Sequence, residues 1–450
     1  MTDVLEVTRE LVSTAKGEEQ IEIYVVHERE FQVKAYDGEV ESLSSAEPRG
    51  AGIRVVNDRR VGFAYTTEVD GNGLKVALDA ARANAESSGR DEGAGLPGEW
   101  TGAPRDVAGM VDPASAQITP EQKVEFALEL ERATRERDPS IRGVEEAGYS
   151  DSSTEVVLAT STGISGSYVR TDAWCYSVAI AERDGESEMG FEFDLARGLS
   201  GLDPERVADR AAERAVEALG ADKIASARFP IVFDPYVAGQ FLGVLAQALT
   251  GEAVQKGRSL FAGRLEQEVA STKIALIDDG RLEGAPSAAP WDGEGVPTGR
   301  TEVIRDGILR SFLYDTTTAR REGKESTGNA SRAGFKSVPH PSASNLALEP
   351  TGQSAQQIMQ DAGRALLVKE FHGVHSGANP VSGDFSVGAT GVLLSEGEPE
   401  RPVKEITIAA PMLDILKNIV AVGDDRRWLP FGGSFGGATT LVAEMTVAGR

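Results

Sequence analysis

The stretch Phe229 to Ser259, FPIVFDPYVAGQFLGVLAQALTGEAVQKGRS, decides how this chain folds. Pro230 to Phe233 is a short apolar, β-branched run that reads as a strand. Asp234-Pro235 then starts a helix, with a side-chain acceptor at the N-cap and a proline whose missing N–H is not needed in the first turn. Val237, Phe241, Val244, Leu245, Ala248 and Leu249 recur at helical spacing, and Gly251 falls where the helix should stop. Gly239 and Gly243, backed by Ala246, make a stripe of small residues against which another backbone can lie closely.

Working outward, the chain reads as an α+β protein. Residues 1–88 form an N-terminal α+β lobe: an amphipathic helix over residues 3–15, five half-buried strand-like runs between Ile21 and Tyr65, and a closing helix from about Gly73 to Ala85. Asp37-Gly38 and Asn57-Asp58 are turn signals between neighbouring runs. Residues 89–118, rich in Gly, Pro, Asp and Ala, read as a linker. Residues 119–228 form a middle α+β lobe, opened by the capping-box pattern Thr119-Pro120-Glu121-Gln122 and closed by a helix beginning at Asp203-Pro204. Its strands are expected at Gly143–Tyr149, Thr154–Thr160, Gly166–Ala181 and Met189–Leu195. Residues 229–450 are β-rich and are expected to build a large mixed or antiparallel sheet, or a barrel-like domain, carrying one central helix.

The chain has 450 residues, with 71 acidic against 46 basic side chains and a net charge of −25, most of the excess lying before residue 229. A surface this acidic repels phosphate backbones and offers no basic stripe, so nucleic acid is an unfavoured partner. Cys175 is the single cysteine, in an apolar strand-like run, which fits a buried core thiol and a reducing, cytoplasmic compartment. No stretch approaches the roughly 20 apolar residues of a membrane span, and MTDVLEVTRELV is acidic and amphipathic rather than basic and apolar.

The motifs of the second half carry a resemblance. Gly251-Glu252 and Lys256-Gly257-Arg258-Ser259, then Trp291-Asp292-Gly293-Glu294-Gly295-Val296-Pro297-Thr298, Asp306-Gly307-Ile308-Leu309, Ser326-Thr327-Gly328-Asn329-Ala330, Ser344-Asn345-Leu346 and Ser382-Gly383-Asp384-Phe385-Ser386 stand in the order of the TldD/PmbA family. The TldD branch of that family carries His-Glu-x-x-x-His on a helix like the one after Asp234, and a cysteine near its C-terminus supplies a third zinc ligand. Counted back from the shared flanks, the two histidine slots here hold Leu242 and Gln247, and the glutamate slot holds Gly243. No cysteine follows Cys175. The pattern resembles the TldE (PmbA) branch. The resemblance implies a subunit with no metal of its own, non-catalytic in a two-component zinc metallopeptidase, whose TldD-type partner holds the zinc and which acts on peptides or unfolded proteins. A homodimer of the chain alone is the other assembly it allows. The rival readings are a standalone peptide-binding or chaperone-like module and, against the charge, a DNA gyrase modulator.

The remaining chemistry is thin. Among four histidines, His372 and His375 lie three apart, and Asp384 completes a two-histidine, one-carboxylate set on paper, although the intervening Gly373 and the following Gly377 and Pro380 favour a strand end and loop. With Asn379 and Ser382 these residues mark a loop that resembles the family's substrate cleft and has polar groups able to hold an extended peptide. Gly432-Gly433-Ser434-Phe435-Gly436 fits G-x-S-x-G, but a β-like run follows it and no histidine remains downstream, so the pattern is a glycine-rich coincidence. Glu145-Glu146, Asp278-Asp279 and Asp424-Asp425 are adjacent acids whose side chains leave a strand on opposite faces, and solvated loops account for them.

Overall fold

The computed structural model describes residues 2–100, 104–429 and 433–450. The first half is one antiparallel sheet of seven strands. Strand Gln20–Tyr36 is its axis: Arg49–Asn57 and then Arg60–Thr66 extend the sheet on one side, and Ile141–Thr160, Ser165–Arg183 and Glu186–Ala196 extend it on the other. Glu39–Ala46 folds back on the far half of the axial strand. The segments expected as two lobes therefore share one sheet, joined by the ladder from Glu22↔Thr160 to Ala35↔Ala147. Two strands expected separately within residues 143–160 are one, because the polar run Ser150 to Ser153 pairs with neighbours on both sides instead of turning.

Alternation divides the two faces of this sheet. Ile21, Ile23, Val25, Phe31, Val33 and Ala35 lie under the helices Thr2–Val12, Gly71–Ser87 and Pro120–Glu136, and Ala179 and Ala181 lie under Pro204–Ala218. Each half of the sheet ends with a helix seated on its own edge strand at a glycine. A Cβ on Gly62 would fall 1.9 Å from the Ala81 carbonyl oxygen, and one on Gly190 would fall 2.2 Å from that of Ala211. The opposite face, with Tyr24, Val26, Tyr168, Tyr176 and Phe191, meets the C-terminal half.

That half has two layers with a helix between them. Strands Glu398–Ala409, Ser386–Ser395, Ala365–His372, Ala227–Phe233 and Thr440–Ala448 pair in a ring, which the register Thr407↔Ala448 to Ala409↔Thr446 closes into a five-stranded barrel. Only Ala227–Phe233 with Ala365–His372 runs parallel within it. A second, six-stranded sheet includes Leu276–Asp279, Arg300–Arg305, Asn345–Leu348 and Ser434–Gly437. Helix Pro235–Ala248 is buried on nearly every face between them, and a single apolar core runs from the barrel through this helix into the second sheet.

Buried charge ties the halves together. Arg54 donates to Glu22 at 2.7 Å within the first sheet and to Glu294 at 2.8 Å across the boundary, and Arg332 of the C-terminal half also grips Glu22. The segment 89–118 is ordered against this boundary where described. Leu96 is buried, its N–H donating to Gln20 and its carbonyl accepting from Arg320, and Trp100 donates its Nε1–H to the Gly295 carbonyl at 2.6 Å.

Candidate functional site

The central helix begins as the sequence dictates, with the Asp234 carboxylate accepting from the Tyr236 N–H and pairing with Arg214 at 3.3 Å. Its small-residue stripe is consumed within the chain. A Cβ on Gly437 would lie 1.9 Å from the Pro235 carbonyl oxygen and 2.4 Å from the Gly239 nitrogen, so strand Ser434–Gly437 rests directly on the helix backbone. Gly239 faces Leu429, and a Cβ on Gly243 would stand 3.2 Å from the Phe435 ring.

The three slots that the sequence singled out are disposed accordingly. Leu242 is 1% exposed in the core, Gly243 is half-buried against Phe435, and Gln247 is exposed. Zinc asks for three or four nitrogen, sulfur or carboxylate ligands converging on one point. This set supplies one side-chain amide and does not fit the ion. Among the described residues, no group of three or more His, Cys, Asp or Glu side chains is placed to share a metal.

The flanking motif has a structural task. Thr250 caps the short helix Gly251–Gln255, and Ser259 donates to the Ala248 carbonyl at 2.6 Å while accepting from the Phe261 N–H, closing the end of the central helix.

The five loop candidates separate into a turn and two outlying histidines. Asn379, Ser382 and Asp384 come together: Asn379 Oδ1 accepts from the Val381 N–H at 2.9 Å, and Ser382 Oγ donates to Asp384 Oδ2 at 2.6 Å. Asp384 is thus already engaged. His372 ends its strand, exposed, with Nδ1 3.8 Å from the Glu370 carboxylate, and lines a cavity of about 740 Å³ with Tyr236, Phe191 and Arg214. His375 sits on the single helical turn Val374–Gly377 and is exposed. The Asn379–Asp384 turn is fixed to the central helix. Phe385 meets Phe241 edge-on at 5.5 Å, the Leu260 N–H donates to the Pro380 carbonyl and the Met412 N–H donates to that of Gly383.

Ser434, from the G-x-S-x-G pattern, opens a buried strand and donates to Asn345 Oδ1 at 2.7 Å, while Gly432 lies outside the described residues. Another strand, Thr440–Ala448, follows, and the geometry of a nucleophile elbow is not formed.

Comparison with known proteins follows the same lines. Three successive domain profiles of one family match: PmbA/TldA metallopeptidase domain 1 over residues 21–85, the central domain over 113–219 and the C-terminal domain over 226–449. The chain belongs to the PmbA/TldD family. It is 28% identical over 422 residues to metalloprotease PmbA of Escherichia coli O157:H7, covering 92% of this chain and 88% of that one. It is 27% identical over 412 residues to a PmbA homolog of Haemophilus influenzae, covering 90% of this chain and 87% of that one. TldE from Thermococcus kodakarensis shares the fold, with a TM-score of 0.90 at 23% identity over 99% of this chain and 100% of that one. A Thermotoga maritima protein described as a candidate modulator of a DNA gyrase superposes with a TM-score of 0.88 at 25% identity, over 99% of this chain and 98% of that one.

Within this PmbA/TldD chain the strongest electrostatic features are buried acids that alternation and adjacency did not reveal. Asp278, read as a loop acid, is 1% exposed on strand Leu276–Asp279, where Asn329 Nδ2 donates to it at 2.6 Å and the Ser344 N–H at 2.8 Å. Burial pushes its carboxyl up to about 6 despite those donors. Asp292 accepts three backbone N–H groups, from Glu294, Val296 and Ala330, yet burial and the Glu294 charge push it up as well. For Glu294 burial again opposes ionisation, but Arg54 and the Thr316 N–H outweigh it and hold the carboxyl low. The sequence signal for Asp278 was its position at the end of the apolar run Ile274 to Ile277. Asp424-Asp425 also has work to do, since Asp425 caps the Thr439 N–H and hydroxyl. Cys175 is fully buried, and burial pushes its thiol up, away from the reactive thiolate.

Proposed function

We propose that this chain is the non-catalytic, TldE-type subunit of a two-component zinc metallopeptidase. In this reading a TldD-type chain holds the zinc and carries out amide hydrolysis on peptides or unfolded proteins. The present chain completes the assembly, and the compartment is the cytoplasm. One observation carries the reading: the family's metal slots are filled by Leu242, Gly243 and Gln247 on a helix whose surroundings have closed over two of them. The helix and its flanking caps are retained, as a scaffold that has kept its place in an assembly would be. The names of its relatives, metalloprotease PmbA and TldE, support the same reading. The net charge of −25 weighs against DNA as a partner.

The test is co-expression with a TldD-type chain carrying His-Glu-x-x-x-His, scoring co-purification, zinc content and cleavage of an unstructured peptide. The pair is expected to co-purify with zinc and to cleave. The isolated chain is expected to do neither. Stoichiometric zinc in the isolated chain, or cleavage by it, sinks the proposal.

A further inference from the structure

A second cavity, of about 320 Å³, lies where the first sheet meets the C-terminal half, and none of its lining residues belongs to the central helix or to the 376–386 loop. Its floor is the helix-free face of three neighbouring strands. Tyr24, Val26 and Glu28 alternate along one, Thr154 and Val156 along the next, and Tyr168 and Arg170 along the third. Loops bearing Trp291, Asn329 and Ser344 form the roof.

Two phenol hydroxyls without a hydrogen-bond partner among the described residues converge here with two charged side chains that have bonding capacity to spare. Tyr24 is 8% exposed, its ring stacked under the Arg332 guanidinium at 4.6 Å, yet neither its hydroxyl nor that of Tyr168 hydrogen-bonds to any described residue. The ring of Tyr168 is held edge-on to Trp291 at 5.0 Å, so both phenols are fixed in position. Arg170 uses Nε for Asp172, at 2.8 Å, and leaves both Nη groups unbonded among the described residues. Glu28 accepts from the Thr154 hydroxyl, at 3.2 Å, has the Glu30 carboxyl beside it, and has no cation within ion-pair distance among the described residues. Burial and the nearby Glu30 charge push its carboxyl up, and the more distant Arg170 charge offsets them only in part.

The register places these two charges usefully. Glu28 pairs with Thr154 and Thr154 with Arg170, so an acid and a guanidinium stand in one row two strand spacings apart, about 10 Å between backbones. They do not close on each other: Arg170 turns to Asp172 and Glu28 to Thr154. The charges suit a guest that brings both signs, with a carboxylate matching the free fork of Arg170 and an ammonium matching Glu28.

We propose that this cavity binds a small zwitterion with a free ammonium and a free carboxylate, an unblocked amino acid or dipeptide. Arg170 holds the carboxylate, Glu28 the ammonium, and the Tyr24 and Tyr168 hydroxyls bond the polar atoms between them. The site does not rest on the subunit role proposed above, because every group that makes it belongs to this chain.

Isothermal titration of the full chain with L-alanyl-L-alanine, and with its N-acetylated and C-amidated forms, tests the site. Saturable one-to-one binding is expected for the free dipeptide. Loss of a hydrogen bond to a charged group is worth about 1.5–3 kcal/mol, so either cap should weaken binding at least about tenfold. Arg170→Gln should do the same. Tyr24→Phe, which keeps the ring and its packing, should weaken it several-fold and keeps the test valid if Arg170→Gln does not fold. No saturable binding of the free dipeptide, capped forms that bind equally well, or Tyr24→Phe and Arg170→Gln proteins that bind like the parent would each overturn the assignment.

Discussion

Asp278→Asn is the most informative single change in the second sheet. The parent carboxyl titrates at about 6 in the folded chain against about 3.8 when unfolded, and each unit is worth about 1.4 kcal/mol. Keeping Asp278 ionised at neutral pH therefore costs about 3 kcal/mol. The sign follows from proton binding. Between about pH 4 and pH 6 the folded chain holds a proton that the unfolded chain has released, so this residue's contribution is fully present below pH 4 and lost as pH rises through 6. Asparagine cannot ionise, but its amide would face the Asn329 Nδ2–H across a gap now bridged at 2.6 Å, a clash of donors that costs about 1–3 kcal/mol at every pH. The net effect at pH 7 is a small difference between two opposing terms. The pH dependence is not, because the donor clash cancels between pH values. Urea unfolding of both proteins from pH 4 to pH 7.5 should show the parent losing about 3 kcal/mol relative to the variant across that range. A difference constant to within about 0.5 kcal/mol would mean that Asn329 and Ser344 fully offset burial, and the reasoning would be refuted.

Three further outcomes follow from the geometry. Gly437→Ala should cost about 3 kcal/mol or more by thermal melting, since its Cβ would meet the Pro235 carbonyl oxygen at 1.9 Å, whereas Gly17→Ala, with φ +59° and open space around it, should cost only about 1–2 kcal/mol. Arg54→Met leaves Glu294 without its cation and should cost about 3–5 kcal/mol, read as an earlier urea midpoint and faster limited proteolysis between the halves; unchanged proteolysis would remove this network from the boundary's stability. Leu242→His should yield no stoichiometric zinc by metal analysis and should destabilise the chain by about 2–5 kcal/mol, because an imidazole replaces a core side chain and no metal-binding group of three His, Cys, Asp or Glu stands among the described residues.

The central helix was fully legible, because its start is written locally: Asp234 caps, Pro235 opens, and the apolar positions repeat at helical spacing. The barrel was legible as one of two alternatives, a closed barrel or an open sheet, since the pairing of Ala227–Phe233 with Thr440–Ala448 that closes it joins distant parts of the chain and leaves no local mark. The same holds for the shared first sheet, where two similar helix–strand–helix halves read naturally as separate lobes. In the segment 89–118, Leu96, Trp100 and Met110 are apolar anchors within a glycine- and proline-rich stretch whose composition hides them, and each is held in place. At the candidate loop, Asn379, Ser382 and Asp384 share one turn, whereas the sequence grouped His372 with them through nearness in the chain alone. The acids Asp278, Asp292 and Glu294 escaped because burial of a charge is decided by donors from elsewhere, here Asn329, Ala330 and Arg54.

Strand Thr440–Ala448 is inserted between Ala227–Phe233 and Glu398–Ala409, so the ring is broken until it arrives. During synthesis, the stave Ala227–Phe233 and the greasy underside of the central helix are made about two hundred residues before the stave that shuts them in, and the nascent chain carries bare, hydrogen-bond-hungry margins while it waits. Such a chain should emerge from the ribosome as a client of holding chaperones, and a truncation that removes only this stave should accumulate as inclusion bodies.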